Sequence, residues 1–566
     1  MTEPLVTVKQ GQLRGKKEQD YHGGTFFRFS GIPYARAPIG ELRFKAPQQA
    51  ESWEGVRDAT KEGAECPSLN LYFGYYVGNE DNCLNLNVYT KSLPTENNEK
   101  KPVMVWIHGG GFLYGSNRSE YFGPDYLLTQ DIVMVSINYR LGIFGFLSLE
   151  DESLGVPGNA GLKDQVAALK WVRQNIHSFG GDPENITIFG ESAGAASVHY
   201  LTLSPLTKGL FHKAIIQSGS SLNPWTMGRR NAEDAAKCMG YKDKDEKAVL
   251  EKLRKENQRN IVTGVFKIVD DFKAKTIRPF SPVIEAPSED AFLTEHPNEI
   301  LKSGRNHQIP IIMGYNTAEG MLIELIRRTK SYGELPKNLE GEVPWDLKIP
   351  PTSGKVKEIA EKISKFYYNG EEVTEENILN TYKLVGDVQF LYGIQKAIRL
   401  QKRNGSQPIY VYRNSLDGTL NFFKKFCTAK YFKTMVLINF LGKLSGNSSL
   451  KGVFQKMSAK IPFSEVEGVS HADDLFYLFP TFFTPKIVPG TKEDNDIYKF
   501  VKMWTNFAKC GNPTPELDEK LNSIVWRPIA SETIDNILGL DNELKLIKNL
   551  EEERVKFWDE IYGEYS

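Results

Sequence analysis

Residues 185–199 read Asn-Ile-Thr-Ile-Phe-Gly-Glu-Ser-Ala-Gly-Ala-Ala-Ser-Val-His. The β-branched, apolar run Ile186 to Phe189 leads into Gly190-x-Ser192-x-Gly194, and small, helix-forming residues follow. That order predicts a strand, a tight turn and a helix. The turn is sharp enough to strain the backbone at the serine, and side chains two residues either side of it would collide. Glycine at 190 and 194 removes the collision. The serine oxygen then stands at the N-terminal end of a helix, whose amides favour negative charge developing there. A bare Gly-x-Ser-x-Gly arises by chance in long chains. Between a strand and a helix it reads as a nucleophile rather than a structural turn.

Three further runs resemble the strand before the elbow: residues 102–108, 131–138 and 213–217. Continuous β-branched runs suit strands buried on both faces, as in a parallel sheet. Between them Leu162, Val166, Leu169, Val172 and Ile176 recur at three or four residues, predicting an amphipathic helix over about 160–179. Alternation of strands and helices predicts an α/β fold with a large, doubly wound, mostly parallel sheet. The 5–8 and 25–29 segments alternate in β fashion and predict an N-terminal hairpin. A closing helix is expected from a cap at Asp541, with Leu544, Ile547, Trp558 and Ile561 on its apolar face. Residues 330–380, rich in Lys, Glu, Pro and Gly, read as a peripheral helical insertion. No linker divides the chain, so 1–566 is expected to be a single domain.

Composition narrows the function. The chain has 566 residues, with 70 Lys+Arg against 71 Asp+Glu and a net charge of -1. Nucleic-acid binding needs a basic surplus, so no nucleic-acid partner is expected. Five cysteines without a CxxC pair give neither a disulfide scaffold nor a zinc site, and no metal or cofactor is expected. The opening Met-Thr-Glu-Pro-Leu-Val shows no signal-peptide pattern, so a cytoplasmic protein is expected, or a secreted one if a leader was removed. Sequons at Asn117, Asn185, Asn404 and Asn447 matter only in the second case. Residues 421–443 mix phenylalanines with five lysines and no acid. They read as helices packed over the site with snorkelling lysines, in preference to a membrane-surface contact.

Ile107-His108-Gly109-Gly110-Gly111-Phe112 follows a buried strand. Bare glycines let backbone amides approach an oxyanion. A phosphate loop is disfavoured because no Lys-Ser/Thr follows the glycines. Eight histidines compete for the general base. His471 follows a small-residue turn, Gly468-Val469-Ser470, that lets a loop carry it to the sheet edge. A His-Asp-Asp metal site at 471–474 is the alternative, and Asp473 is an alternative acid.

The chain resembles type-B carboxylesterases of the cholinesterase-like α/β-hydrolase superfamily, and among them the insect α-esterase group. The likeness runs through Phe29-Ser-Gly-Ile-Pro-Tyr-Ala35, Gly40-Glu-Leu-Arg-Phe44, Cys83-Leu-Asn-Leu-Asn-Val-Tyr89 and Asn138-Tyr-Arg-Leu-Gly142. It continues through Gly158-Asn-Ala-Gly-Leu-Lys-Asp-Gln165, the elbow and Gln217-Ser-Gly219. The resemblance implies the α/β-hydrolase fold with helical insertions over the active site. It puts the nucleophile on Ser192, the acid on Glu319 in Gly314-Tyr-Asn-Thr-Ala-Glu-Gly320, and the base on His471. It puts the oxyanion hole on the amides of Gly110, Gly111 and Ala193, and an acyl-pocket wall on Trp225. It also implies ion pairs Arg43–Asp81 and Arg140–Asp164, a Cys66–Cys83 disulfide, and a monomer or a homodimer.

The activity implied is hydrolysis of carboxylic esters through an acyl-enzyme, on xenobiotic or lipid-derived substrates with short-to-medium acyl groups. Organophosphates are expected as covalent inhibitors that the enzyme scavenges, because Gly111 carries no acid that would hydrolyse them. No Trp lies between Cys66 and Cys83, which disfavours choline esters. Glu191 stands where juvenile-hormone esterases usually carry Gln, which lowers a hormone or pheromone esterase to the alternative. A non-enzymatic adhesion relative is the third reading.

Overall fold

The computed structural model describes residues 3–95, 99–271, 279–324, 338–350, 352–428, 466–482 and 484–565. Eleven strands form the central sheet. They are β1 (Lys16–Gln19), β2 (Thr25–Pro33), β3 (Asn85–Thr90), β4 (Lys101–Ile107), β5 (Val133–Ile137) and β6 (Gly181–Glu191), followed by β7 (Lys213–Gln217), β8 (Ile311–Asn316), β9 (Ile409–Asn414), β10 (Ile537–Leu540) and β11 (Lys545–Ile547). Their spatial order is β1-β2-β3-β5-β4-β6-β7-β8-β9-β10-β11. From β5 to β10 all neighbours run parallel, and the strands at both edges join antiparallel.

The apolar runs are strands because both faces are covered. Val103, Val105 and Ile107 enter one core, and Met104 and Trp106 enter the other. Ile186 and Ile188 divide from Phe189 in the same way. The predicted central helix is α1 (Ala160–Asn175), continued by a 3-10 turn over Ile176–Phe179. The helix after the elbow is α2 (Ala193–Leu201). This is the α/β-hydrolase fold. No described helix is long and apolar enough to cross a membrane.

Three expectations need correction. Leu5–Val8 pairs with Gly11–Arg14, not with 25–29, because Lys9-Gln10 closes a two-residue hairpin first. Residues 25–33 pair instead with β1 and β3. At the other end Asp541 lies in the connection between β10 and β11, so Leu544 and Ile547 belong to a hairpin. Their three-residue spacing imitates a helix. The closing helix starts at Glu552 and runs to Tyr565, with acids in its first turn, where the helix dipole favours them. Finally, Arg43 pairs with Glu80, not Asp81: its Nε donates to Glu80 Oε2 at 2.7 Å. The 3-10 turn Glu80–Asn82 buries Glu80 and leaves Asp81 exposed.

Arg140 and Asp164 do pair, with Nε–Oδ2 at 2.7 Å and Nη2–Oδ1 at 2.6 Å, both side chains buried. Cys66 and Cys83 are joined as a disulfide. Of the 330–380 insertion, the described part includes a helix over Gly354–Tyr368, while 330–337 and 351 lie outside the described residues. Of 421–443, residues 429–443 lie outside them. The described start is helical, with Lys424 and Lys425 buried. Lys424 pairs with Asp417 at 2.5 Å and Lys425 donates to the Thr419 carbonyl, so these lysines face the protein.

Candidate active site

β6 ends at Glu191 and α2 begins at Ala193, leaving Ser192 as the turn. Its φ of 58° and ψ of -122° are left-handed for a residue with a Cβ. Ser192 N donates to the Gln217 carbonyl at 2.9 Å, tying the turn to the end of β7. A Cβ on Gly190 would lie 2.6 Å from the Gly194 carbonyl carbon, and one on Gly194 would lie 2.1 Å from the Ile107 oxygen. The two glycines are therefore needed, and the strand β4 that leads to the glycine loop is one reason.

That loop packs directly on the serine. A Cβ on Gly109 would lie 3.1 Å from Ser192 Cβ, and one on Gly110 would lie 2.3 Å from the Tyr114 carbonyl oxygen. Gly110 and Gly111 both take positive φ, 106° and 60°. Ala193 opens α2, and the first amides of a helix have no intrahelical acceptor. His108 belongs to the scaffold. Its ring stacks on Tyr139 at 4.4 Å, and burial lowers its pKa to about 4.

Glu319 follows β8 in a short 3-10 turn, and His471 follows the Gly468-Val469-Ser470 turn. The two loops meet where Ala318 bridges Ser470. His471 Nδ1 lies 2.6 Å from Glu319 Oε2, while Glu319 Oε1 accepts the Asn316 amide at 2.7 Å. The other ring nitrogen, Nε2, lies 3.1 Å from Glu191 Oε1. No hydrogen bond links Ser192 to His471 among the described residues. Glu191 holds that place, and hydroxyl–imidazole contacts often tighten only when substrate is bound.

Asp473 and Asp474 both turn away from the ring. Asp473 accepts the amides of Phe423, Lys424 and Ser470, which removes it as the acid and leaves no His-Asp-Asp metal site. Asp474 accepts Gln217 Nε2 at 2.7 Å and Asn316 Nδ2 at 3.3 Å. Among the described residues no group of His, Cys, Asp and Glu is placed to hold a metal ion.

Electrostatics favour a charged imidazole. Burial lowers the pKa of His471, but Glu191 and Glu319 outweigh it, and the net shift is upward. Burial drives Glu191 up, Asp474 and Glu319 add to this, and His471 opposes it. The cluster thus holds an imidazolium readily and resists a further negative charge.

Trp225 sits on a 3-10 turn over Pro224–Thr226 and donates from Nε1 to the Gln389 carbonyl at 2.7 Å. Its ring lies 6.2 Å from Phe112 and 5.9 Å from Phe390, and Phe390 lies 4.4 Å from the His471 ring. Sequence reading missed Phe390 because nothing in a long helical pattern marks a π-turn. It noticed Glu191 only as a substitution, although its place beside Ser192 was signal enough to ask what it faces.

The carboxylesterase family model matches residues 2–558. The chain belongs to the carboxylesterase family. This carboxylesterase is 34% identical to the juvenile hormone esterase of Tribolium castaneum, over 98% of this chain and 93% of that one. It is 33% identical to esterase B1 of Culex pipiens, over 98% of both chains. The crystal structure of juvenile hormone esterase from Manduca sexta, with OTFP covalently attached, superposes with a TM-score of 0.81 at 29% identity, covering 99% of this chain and 100% of that one. This carboxylesterase is accordingly a carboxylic ester hydrolase.

Proposed function

We propose that Ser192, His471 and Glu319 hydrolyse carboxylic esters with short-to-medium acyl groups through an acyl-enzyme. The 2.6 Å bond between His471 Nδ1 and Glu319, on loops packed beside the elbow, carries this reading. His471 Nε2 turns from Glu191 to accept the Ser192 proton as Oγ attacks the ester carbonyl. The amides of Gly110, Gly111 and Ala193 hold the oxyanion. Glu319 fixes the imidazole tautomer and steadies the imidazolium, which then protonates the leaving alcohol. Water, activated by the same base, frees the acid and restores Ser192.

Xenobiotic or lipid-derived esters are the proposed substrates. Organophosphates phosphorylate Ser192 and are scavenged, since no acid at Gly111 directs water at the phosphoryl group. Juvenile-hormone hydrolysis is the second reading, favoured by the names of the relatives from Tribolium and Manduca. We read residues 1–566 as a single domain acting on small molecules without cofactor or nucleic acid, as a monomer or homodimer. The disulfide favours an oxidising compartment over the cytoplasmic expectation. A panel of p-nitrophenyl esters from acetate to octanoate, with a juvenile hormone beside it, separates the readings. Highest kcat/KM on acetate to butyrate supports the first; preference for the hormone replaces it with the second.

A further inference from the structure

One helical segment carries a distortion beside the site. Helices Ile378–Gly386 and Tyr392–Asn404 are joined by a π-turn over Asp387–Leu391. Such turns widen the backbone ladder and free carbonyls for other partners. Here the Gln389 carbonyl accepts Trp225 Nε1 and the Phe390 carbonyl accepts Asn223 Nδ2, each at 2.7 Å. The Phe390 ring covers His471 at 4.4 Å. The approach is close, since a Cβ on Gly393 would lie 2.6 Å from Asn223 Nδ2. The preceding helix also backs the acid: a Cβ on Gly320 would lie 2.0 Å from the Tyr382 carbonyl oxygen.

The turn is gripped from behind. Buried Asp387 accepts Arg554 Nη1 at Oδ1 and Tyr367 OH at Oδ2, both at 2.6 Å. Tyr367 in turn accepts Trp558 Nε1 at 2.8 Å. Arg554 and Trp558 both belong to the closing helix Glu552–Tyr565. Arg554 Nη2 also lies 3.4 Å from buried Glu551, which accepts Tyr315 OH of β8 at 2.7 Å. The closing helix thus reaches the reaction site through one ion pair and one wall.

We propose that the Asp387–Arg554 pair is a positioning device that sets acyl-chain selectivity, by holding the π-turn whose carbonyls seat Trp225 and whose Phe390 covers His471. It rests on the reading of Trp225 and His471 as parts of the site. Neither Asp387 nor Arg554 touches the reacting atoms. Loss of the pair lets Phe390 and Trp225 withdraw, so longer acyl groups gain relative to acetyl.

The test compares kcat/KM for p-nitrophenyl hexanoate with that for acetate, with thermal melts to establish folding. The variants are Arg554→Met, the double variant Asp387→Asn/Arg554→Met, which leaves no buried charge unpaired, and Phe390→Leu. Arg399→Met is the control. Arg399 pairs with Asp559 at 2.6 Å, joining the same two helices away from the turn. The hexanoate-to-acetate ratio should rise at least about tenfold in Phe390→Leu and in the folded clamp variants, the lower end of what one methylene produces in a pocket. It should stay unchanged in Arg399→Met. An unmoved ratio in the double variant, or an equal rise in the control, overturns the inference while leaving the esterase reading intact. No turnover in folded wild type overturns both.

Discussion

At Ser192 the chain accepts a backbone conformation that costs of the order of 1–3 kcal/mol in a residue with a side chain. The site supports it with the Ser192 N–Gln217 bond and with Gly219, whose Cβ would lie 2.4 Å from the Ser192 carbonyl oxygen. Gly194→Ala, with its added carbon at 2.1 Å from the Ile107 oxygen, should lower kcat/KM about 100-fold or more while circular dichroism stays unchanged. Wild-type activity in that variant would contradict the elbow geometry. Glu191 sets a second test. In the proposed mechanism His471 must be neutral to take the Ser192 proton, so activity should fall as pH drops through the His471 pKa. Glu191 helps raise that pKa. Glu191→Gln removes a carboxylate 3.1 Å from Nε2, and the acid limb of the kcat/KM–pH profile should move to lower pH by about one unit or more. A limb that stays in place, or moves up, would show that Glu191 does not act on the base.

Elements divide by how locally they are determined. The four central strands and α1 were legible because burial on two faces, or on one stripe, writes its period directly into the chain. The elbow and glycine loop were legible because glycine marks places where backbones nearly touch. The N-terminal pairing was not: Leu5–Val8 and Thr25–Phe29 both alternate, and only the intervening turn decides the partner. The closing hairpin was hidden by a spacing shared between strand and helix. Phe390 was invisible because it reaches His471 from a π-turn 81 residues earlier in the chain, and a single sequence does not record such meetings. Arg140 and Asp164, both buried, join the end of β5 to α1. Arg140→Met leaves a buried carboxylate and should cost about 3–5 kcal/mol in urea unfolding, while Arg140→Met/Asp164→Leu should recover most of it. Equal stability of the single variant and wild type would contradict the pair.

For the whole molecule, one sheet with a core on each face delivers three loops of the candidate site to the same region: the glycine loop follows β4, Ser192 follows β6, and Glu319 follows β8. The arrangement ties function to the global fold, and the compartment question belongs here too. Cys66–Cys83 is closed as a disulfide, and Cys238, Cys427 and Cys510 are thiols. Unfolded without reductant, the protein should titrate three thiols, and five after reduction, when the two disulfide cysteines add to them. Five thiols before reduction would return the chain to a reducing compartment. The central claim is an acyl-enzyme on Ser192, and stopped-flow hydrolysis of p-nitrophenyl butyrate tests it most directly. Folded wild type should release a burst of about one equivalent of nitrophenol before the steady state, and Ser192→Ala should release none. A burst that survives in Ser192→Ala, or folded wild type without burst or turnover, would contradict it.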